Sequence, residues 1–147
     1  MLPAEELQIQ LVRPGAKPPR RSRPQDAGLD LHCVEGFCLG AGERLKVPTG
    51  VAIALPASMC ALLVPRSGLA ANHGVAPFLG LIDPNFRGEI CATLLNTSTE
   101  AFVAHAGDRI AQLLLVPFWA PALAVVDALP PSPDDRGVSG WGSSGTD

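Results

Sequence analysis

Five short segments hold the groups in this chain that could handle a phosphorylated ligand. The richest is the stretch from Arg136 to Asp147, which joins four glycines, one arginine, Trp141 and hydroxyls that include Ser143 and Ser144. Glycines let successive N–H groups turn toward an anion, Arg136 supplies charge, the hydroxyls donate hydrogen bonds, and Trp141 offers a flat face to a base. The same composition also describes a plain Gly/Ser-rich chain end, so the tail alone leaves both readings open.

The other four segments are smaller. In Ala27-Gly-Leu-Asp-Leu31 one acid interrupts an apolar stretch directly after a loop. Asp30 there either reaches a metal or its bound water, or caps a turn beside a strand. Pro65-Arg-Ser-Gly-Leu69 puts the Arg66 guanidinium, the Ser67 hydroxyl and Gly68 at the start of a short helical pattern, where unpaired N–H groups favour phosphate. Gly80-Leu-Ile-Asp-Pro-Asn-Phe-Arg-Gly-Glu89 reads as a hairpin-like turn, with Asp83 as a candidate base or as an Asp-Pro turn starter. In Gly107-Asp-Arg-Ile-Ala-Gln112, Gln112 shares a face with Ile110 if the segment is a regular strand. A glutamine on an apolar face needs a partner, whether phosphate, water or a neighbouring backbone group. Asp108 and Arg109 read as a local ion pair of little worth.

These segments must be positioned by short elements, because fifteen prolines and fifteen glycines leave hardly any window for an ordinary helix. Leu7–Leu11 alternates apolar and polar residues, and 44–55, 59–64, 89–95, 110–116 and 123–126 read as further strands between turn signals. The pattern predicts an all-β jelly roll or distorted β-barrel with one short helix, capped by Ser67 and ended by Gly74. Residues 1–129 form the expected domain, and 130–147 a proline-stiffened spacer with a glycine-rich lid belonging to it. Arg20, Arg21 and Arg23, set between prolines, read as an extended surface loop.

A chain of 147 residues that is 47% hydrophobic can bury a core of its own, and a formal charge of −3 argues against a general grip on nucleic acid. Any phosphate site is therefore local. Cys33, Cys38, Cys60 and Cys91 lack metal-ligand spacing and read as reduced, buried thiols. No apolar run approaches the roughly 20 residues of a membrane span. A soluble, cytoplasmic protein is expected, with the nucleus open.

Taken in order, AGLDL, PRSGLA, GLIDPNFRGE, GDRIAQ and RGVSGWGSSG resemble the five motifs of the trimeric dUTPases, over about residues 7–146. The resemblance implies a homotrimer with active sites shared between subunits, Mg²⁺ as cofactor, and hydrolysis of dUTP to dUMP and pyrophosphate. Such an activity keeps uracil out of DNA and supplies dUMP for dTMP synthesis. The resemblance further implies that Asp83 deprotonates the attacking water, Gln112 helps to place it, and Asp30 meets water on Mg²⁺. Arg66, Ser67, Gly68, Arg136, Ser143 and Ser144 would then hold phosphates, and Trp141 with Gly142 would cover the base. The backbone of Gly80, Leu81 and Ile82 would read uracil, above Phe86 under the sugar. Phe86 stands where the family usually has tyrosine, Trp141 replaces the usual phenylalanine, and Pro77 removes a donor from the expected hairpin. The alternatives are a nucleotide-gated regulatory protein with a protein partner, and a relative of dCTP deaminase.

Overall fold

The computed structural model describes residues 6–134 and 136–140. Its elements are β1 (Gln8–Leu11), β2 (Gly28–His32), β3 (Phe37–Leu39), β4 (Arg44–Ala54), β5 (Met59–Val64), α1 (Ser67–His73), β6 (Val75–Pro77), β7 (Gly80–Ile82), β8 (Ile90–Asn96), β9 (Phe102–Ala104) and β10 (Arg109–Pro117). They form two four-stranded sheets, ordered β1-β4-β8-β6 and β2-β10-β5-β7, with the small pair β3-β9 beside them. The all-β fold with one short helix is as expected, built from open sheets that do not close into a barrel.

Alternating side chains explain why the sheets share one core. β8 is buried at every second residue, from Ile90 through Ala92 and Leu94 to Asn96. Its apolar side meets Leu29, Leu31, Leu63 and Leu113 of the other large sheet in a single cluster. Asn96 is polar yet fully buried, and its amide donates to the carbonyls of Leu39 and Glu100 while its oxygen accepts from Ser98. A buried amide with every group partnered ties the β3-β9 pair to the body, its hydrogen bonds offsetting the cost of desolvation.

Several expectations need correction. Arg66, not Ser67, is the N-cap residue of α1, and no side chain caps it, whereas Gly74 does end the helix in the left-handed conformation at φ 64°. β6 pairs with β8 and β7 with β5, so Gly80–Glu89 connects two sheets and is no hairpin. Residues 123–126 form no strand, and Leu123 and Val125 are exposed, because β-forming composition makes a ladder only where a partner edge is at hand. All four cysteines are free, but Cys38 is exposed and Cys91 half-buried.

One irregularity sets up the site. The β2–β10 register shifts between Arg109 and Ala111, pairing Arg109 with His32 and Gln112 with Asp30. The extra residue, Ile110, drops into the core beside Leu113. A bulge of this kind puts two side chains three residues apart on one face. Arg109 and Gln112 thus both stand over the Asp30 side of β2, and Ile110 and Gln112 do not share a face.

Candidate active site

On the outer face of the β2-β10-β5-β7 sheet lies a polar cleft of about 160 Å³, lined by Ser22, Asp30, Arg66, Ser67, Gly68 and Gln112 among others. Asp30 is its hub. Ser22 Oγ donates to Oδ2 at 2.9 Å, Arg109 donates to the same oxygen at 3.2 Å, and Arg66 Nε donates to Oδ1 at 3.3 Å. Burial alone would push the Asp30 carboxyl up, but the Ser22 hydroxyl and the two guanidiniums outweigh it and hold the pKa below the ordinary value. Arg109 therefore pairs with Asp30 across the sheet, while Asp108 turns its carboxylate to the His105 N–H at 2.7 Å.

Gln112 Nε2 donates to the Pro65 carbonyl at 2.8 Å, which ties the strand to the segment entering α1. Its amide oxygen faces Gly28, where any Cβ would collide with it. Gly28 is thus a spatial requirement of the Gln112 rotamer. Ser67 and Gly68 begin α1, where first-turn N–H groups have no intrahelical acceptor. One further polar group is beside the hub: His32 is buried, and its Nδ1 has no partner among the described residues. Burial lowers its pKa, and Lys17, Arg20 and Arg109 lower it further against the pull of Asp30.

A second cleft, of about 300 Å³, opens where Leu63 and Ile90 of the two large sheets approach, and β7, Asp83, Phe86, Glu89 and Cys91 line it. Phe86 N donates to the Asp83 carbonyl at 3.1 Å, closing a turn with Pro84 in its second position. Arg87 braces that turn by donating to the carbonyls of Pro84 and Phe86. The Phe86 ring lies against Gly88, at a distance that a Cβ would violate. Asp83 is exposed, and its carboxylate accepts no hydrogen bond from the described residues. Glu89 is fully engaged by Arg13, at 2.7 and 2.9 Å, and by the Gly50 N–H. The Arg13 bond, followed by Gly50 and outweighing burial, lowers the Glu89 pKa.

The structure brings Asp30, Arg66, Ser67, Gly68 and Gln112 into one cleft, and Gly80, Leu81, Ile82, Asp83 and Phe86 into the other. The two do not meet. Gln112 lies opposite Val64 and Ile82 opposite Ala61, two strands and three residues away, or roughly 14 Å. Arg136 is exposed and donates to the Ser139 carbonyl. Trp141, Gly142, Ser143 and Ser144 lie outside the described residues. Sequence reading missed Ser22, Gly28, His32 and the true partner of Arg109, of which only the glycine before the acid left a visible trace.

Fold and clefts together define an all-β protein with one cleft built around paired arginines and, apart from it, an uncommitted carboxylate. The family model described as dUTPase matches residues 15–145, and the chain belongs to the dUTPase family. It is 48% identical over 132 residues to the deoxyuridine 5'-triphosphate nucleotidohydrolase of Leifsonia xyli subsp. xyli, covering 86% of this chain and 84% of the relative. The enzyme of that name from Thermobifida fusca is 44% identical over 144 residues, covering 95% and 78%. Among solved structures, a Staphylococcus bacteriophage 80alpha dUTPase mutant with dUpNHpp superposes with a TM-score of 0.90 at 27% identity, covering 96% of this chain and 99% of that one. A mutant dUTPase from phage phi11 of S. aureus, described as coordinating a structural Mg(II) ion, gives 0.81 at 25% identity, covering 85% and 99%.

Proposed function

We propose that the chain is a dUTP diphosphatase whose active site is completed only when the two clefts come from different subunits. The observation that carries this is their division of labour. One cleft offers cations, a hydroxyl and helix-start N–H groups to phosphates, and the other offers a carboxylate, an aromatic ring and a strand edge. Among the described residues β7 is bonded on one side only, to β5, so its other backbone groups are available to the donor and acceptor edge of uracil. A base with the wrong pattern would leave buried polar groups unpaired, which can cost about 10⁴ in discrimination. Phe86 forms the floor under the sugar.

In the reaction, Asp83 accepts a proton from a water whose oxygen attacks the α-phosphorus. The bond from that phosphorus to the bridging oxygen breaks, dUMP forms and pyrophosphate leaves. Gln112 orients the water, and Arg66, Ser67 and Gly68 hold the phosphate chain. Arg136, Trp141, Gly142, Ser143 and Ser144 close over the nucleotide from the tail that the proline-rich spacer at 130–135 carries.

The donor set suits Mg²⁺ only at one remove. Among the described residues no three His, Cys, Asp or Glu side chains gather as a metal cage, and Asp30 already serves two guanidiniums and a hydroxyl. The free lone pair on its Oδ1 can accept from a metal-bound water, which suits an ion that keeps most of its waters and rides on phosphates. When bound, the ion neutralises triphosphate charge.

Trimeric assembly agrees with the apolar surface the single chain leaves uncovered, notably Phe78, Leu79 and Leu81 beside the second cleft, and Trp119, Leu123 and Leu129 after β10. A nucleotide-gated regulator or a dCTP deaminase relative is not favoured, since the chain's relatives are named nucleotidohydrolases. The test is pyrophosphate release from dUTP, UTP, dTTP and dCTP, with Mg²⁺ and with chelator, in wild type and Asp83→Asn. Turnover of dUTP alone, dependent on Mg²⁺ and lost in the variant, is expected; binding of dUTP without turnover would overturn the proposal.

A further inference from the structure

The loop before β2 packs against the Asp30 cleft and presents cations that the reaction scheme does not use. Arg20 and Asp30 exchange backbone hydrogen bonds, and Ser22 reaches the Asp30 carboxylate. Arg21 Nε donates to the Asp26 carbonyl at 2.9 Å, and the Arg23 N–H donates to the Asp26 carboxylate at 2.9 Å. Ser22 and Asp26 line the cleft, and the three arginines are their neighbours in the chain, outside the lining itself. All three are exposed, and among the described residues none joins an ion pair, unlike Arg66 and Arg109, which Asp30 occupies. Lys17, Arg20 and Arg109 act on His32 and Arg66 pairs with Asp30, so with Arg21 and Arg23 six of the chain's eleven cationic side chains belong to this loop and cleft, on a molecule of net charge −3. Prolines 18, 19 and 24 stiffen the backbone of the segment, which limits how far its charges can move from the cleft.

Resting on the reading of the Arg66 cleft as the phosphate site, we propose that Arg20, Arg21 and Arg23 form a cationic entry rim. It captures the polyphosphate end of the substrate from solution and passes it to Arg66 and Ser67. Like-signed charge around a concave site raises the association rate of an anion by about 10- to 1,000-fold, and salt screens the effect. The rim acts on capture, so it affects kcat/KM and leaves kcat nearly untouched.

The test compares the triple variants R20Q/R21Q/R23Q and R20K/R21K/R23K with wild type on dUTP, at about 20 mM and about 500 mM salt, across which screening shortens severalfold. The glutamine variant should lose about tenfold in kcat/KM at low salt, with the deficit nearly gone at high salt, while the lysine variant tracks wild type. Equal salt slopes in wild type and the glutamine variant would overturn the rim, as would a lysine variant as impaired as the glutamine one. Loss of duplex DNA binding with an unchanged dUTP salt slope would assign the arginines to nucleic acid and also overturn it. Calorimetric binding of inorganic tripolyphosphate separates this inference from the catalytic reading. A chain that fails to turn over dUTP yet binds tripolyphosphate through the three arginines keeps the rim and loses the enzyme.

Discussion

The two clefts differ in how much of their chemistry is already spent. Around Asp30 every oxygen and guanidinium is cross-bonded, so the side chains stand in fixed positions before any ligand arrives. Around Asp83 the backbone turn is braced by Arg87 while the carboxylate is left uncommitted. Groups that grip a highly charged ligand gain from preorganisation, which removes the entropy of ordering them on binding. A base must instead be free to take a proton. Stability should therefore reside in the first cleft and turnover in the second.

The sharpest way to break this contrast is Asp83→Asn. Loss of a positioned base costs about 10² to 10⁴ in rate, whereas its absence of hydrogen bonds predicts a melting temperature within a degree or so of wild type. Pyrophosphate release and thermal melting on one preparation check both halves. Asp30→Ala should do the opposite first: removing the hub of a partly exposed ion cluster costs about 1 kcal/mol, read by denaturant unfolding, before any loss of activity is counted. Because the folded Asp30 carboxyl titrates below its unfolded value of about 3.9, its stabilisation is complete above that pH and is lost as pH falls through the lower folded value.

Mixing subunits sharpens the contrast further. Asp83→Asn and Arg66→Ala proteins, each inactive alone, should recover about a quarter of wild-type activity when co-assembled at random, because one site in four then draws both intact halves. No recovery would mean that one chain supplies both. Gly28→Ala should cost about tenfold in kcat with about 1 kcal/mol in stability, since the added methyl displaces Gln112 from its seat on Pro65. The smallest effect belongs to His32. Its folded pKa lies below the unfolded value of about 6.5, so the folded state resists the proton and wild type loses stability as pH falls from about 6.5 toward the folded value. Melting of His32→Gln across that window should be flatter.

What the sequence reveals follows the length over which a pattern repeats. Met59–Val64 is legible residue for residue, and Arg44–Ala54 and Ile90–Asn96 to within a residue at each end, because a largely apolar run of six or more positions bounded by turn signals is hard to mistake. Phe37–Leu39, Val75–Pro77, Gly80–Ile82 and Phe102–Ala104 passed unseen, since three residues carry no measurable period. Asp83 and Arg66 stood out by chemical type. That they face apart did not, because it depends on β7 joining β5 while β8 joins β4, a choice made between residues far apart in the chain. Arg109 was matched with its neighbour Asp108 for the same reason, as a bulge across the sheet leaves no mark in local spacing.

Pro77 shows what one residue settles beyond its own position. It lies in β6, the outer strand of the β1-β4-β8-β6 sheet. Phe78 directs its N–H inward to Thr93, so the nitrogen of Pro77 points outward and carries no hydrogen. On that border Val75 still turns an N–H outward, but Pro77 offers a carbonyl with no donor beside it, so an added strand would find only part of the usual ladder there. The proline biases any edge-to-edge association through this sheet toward β1 without a single added charge.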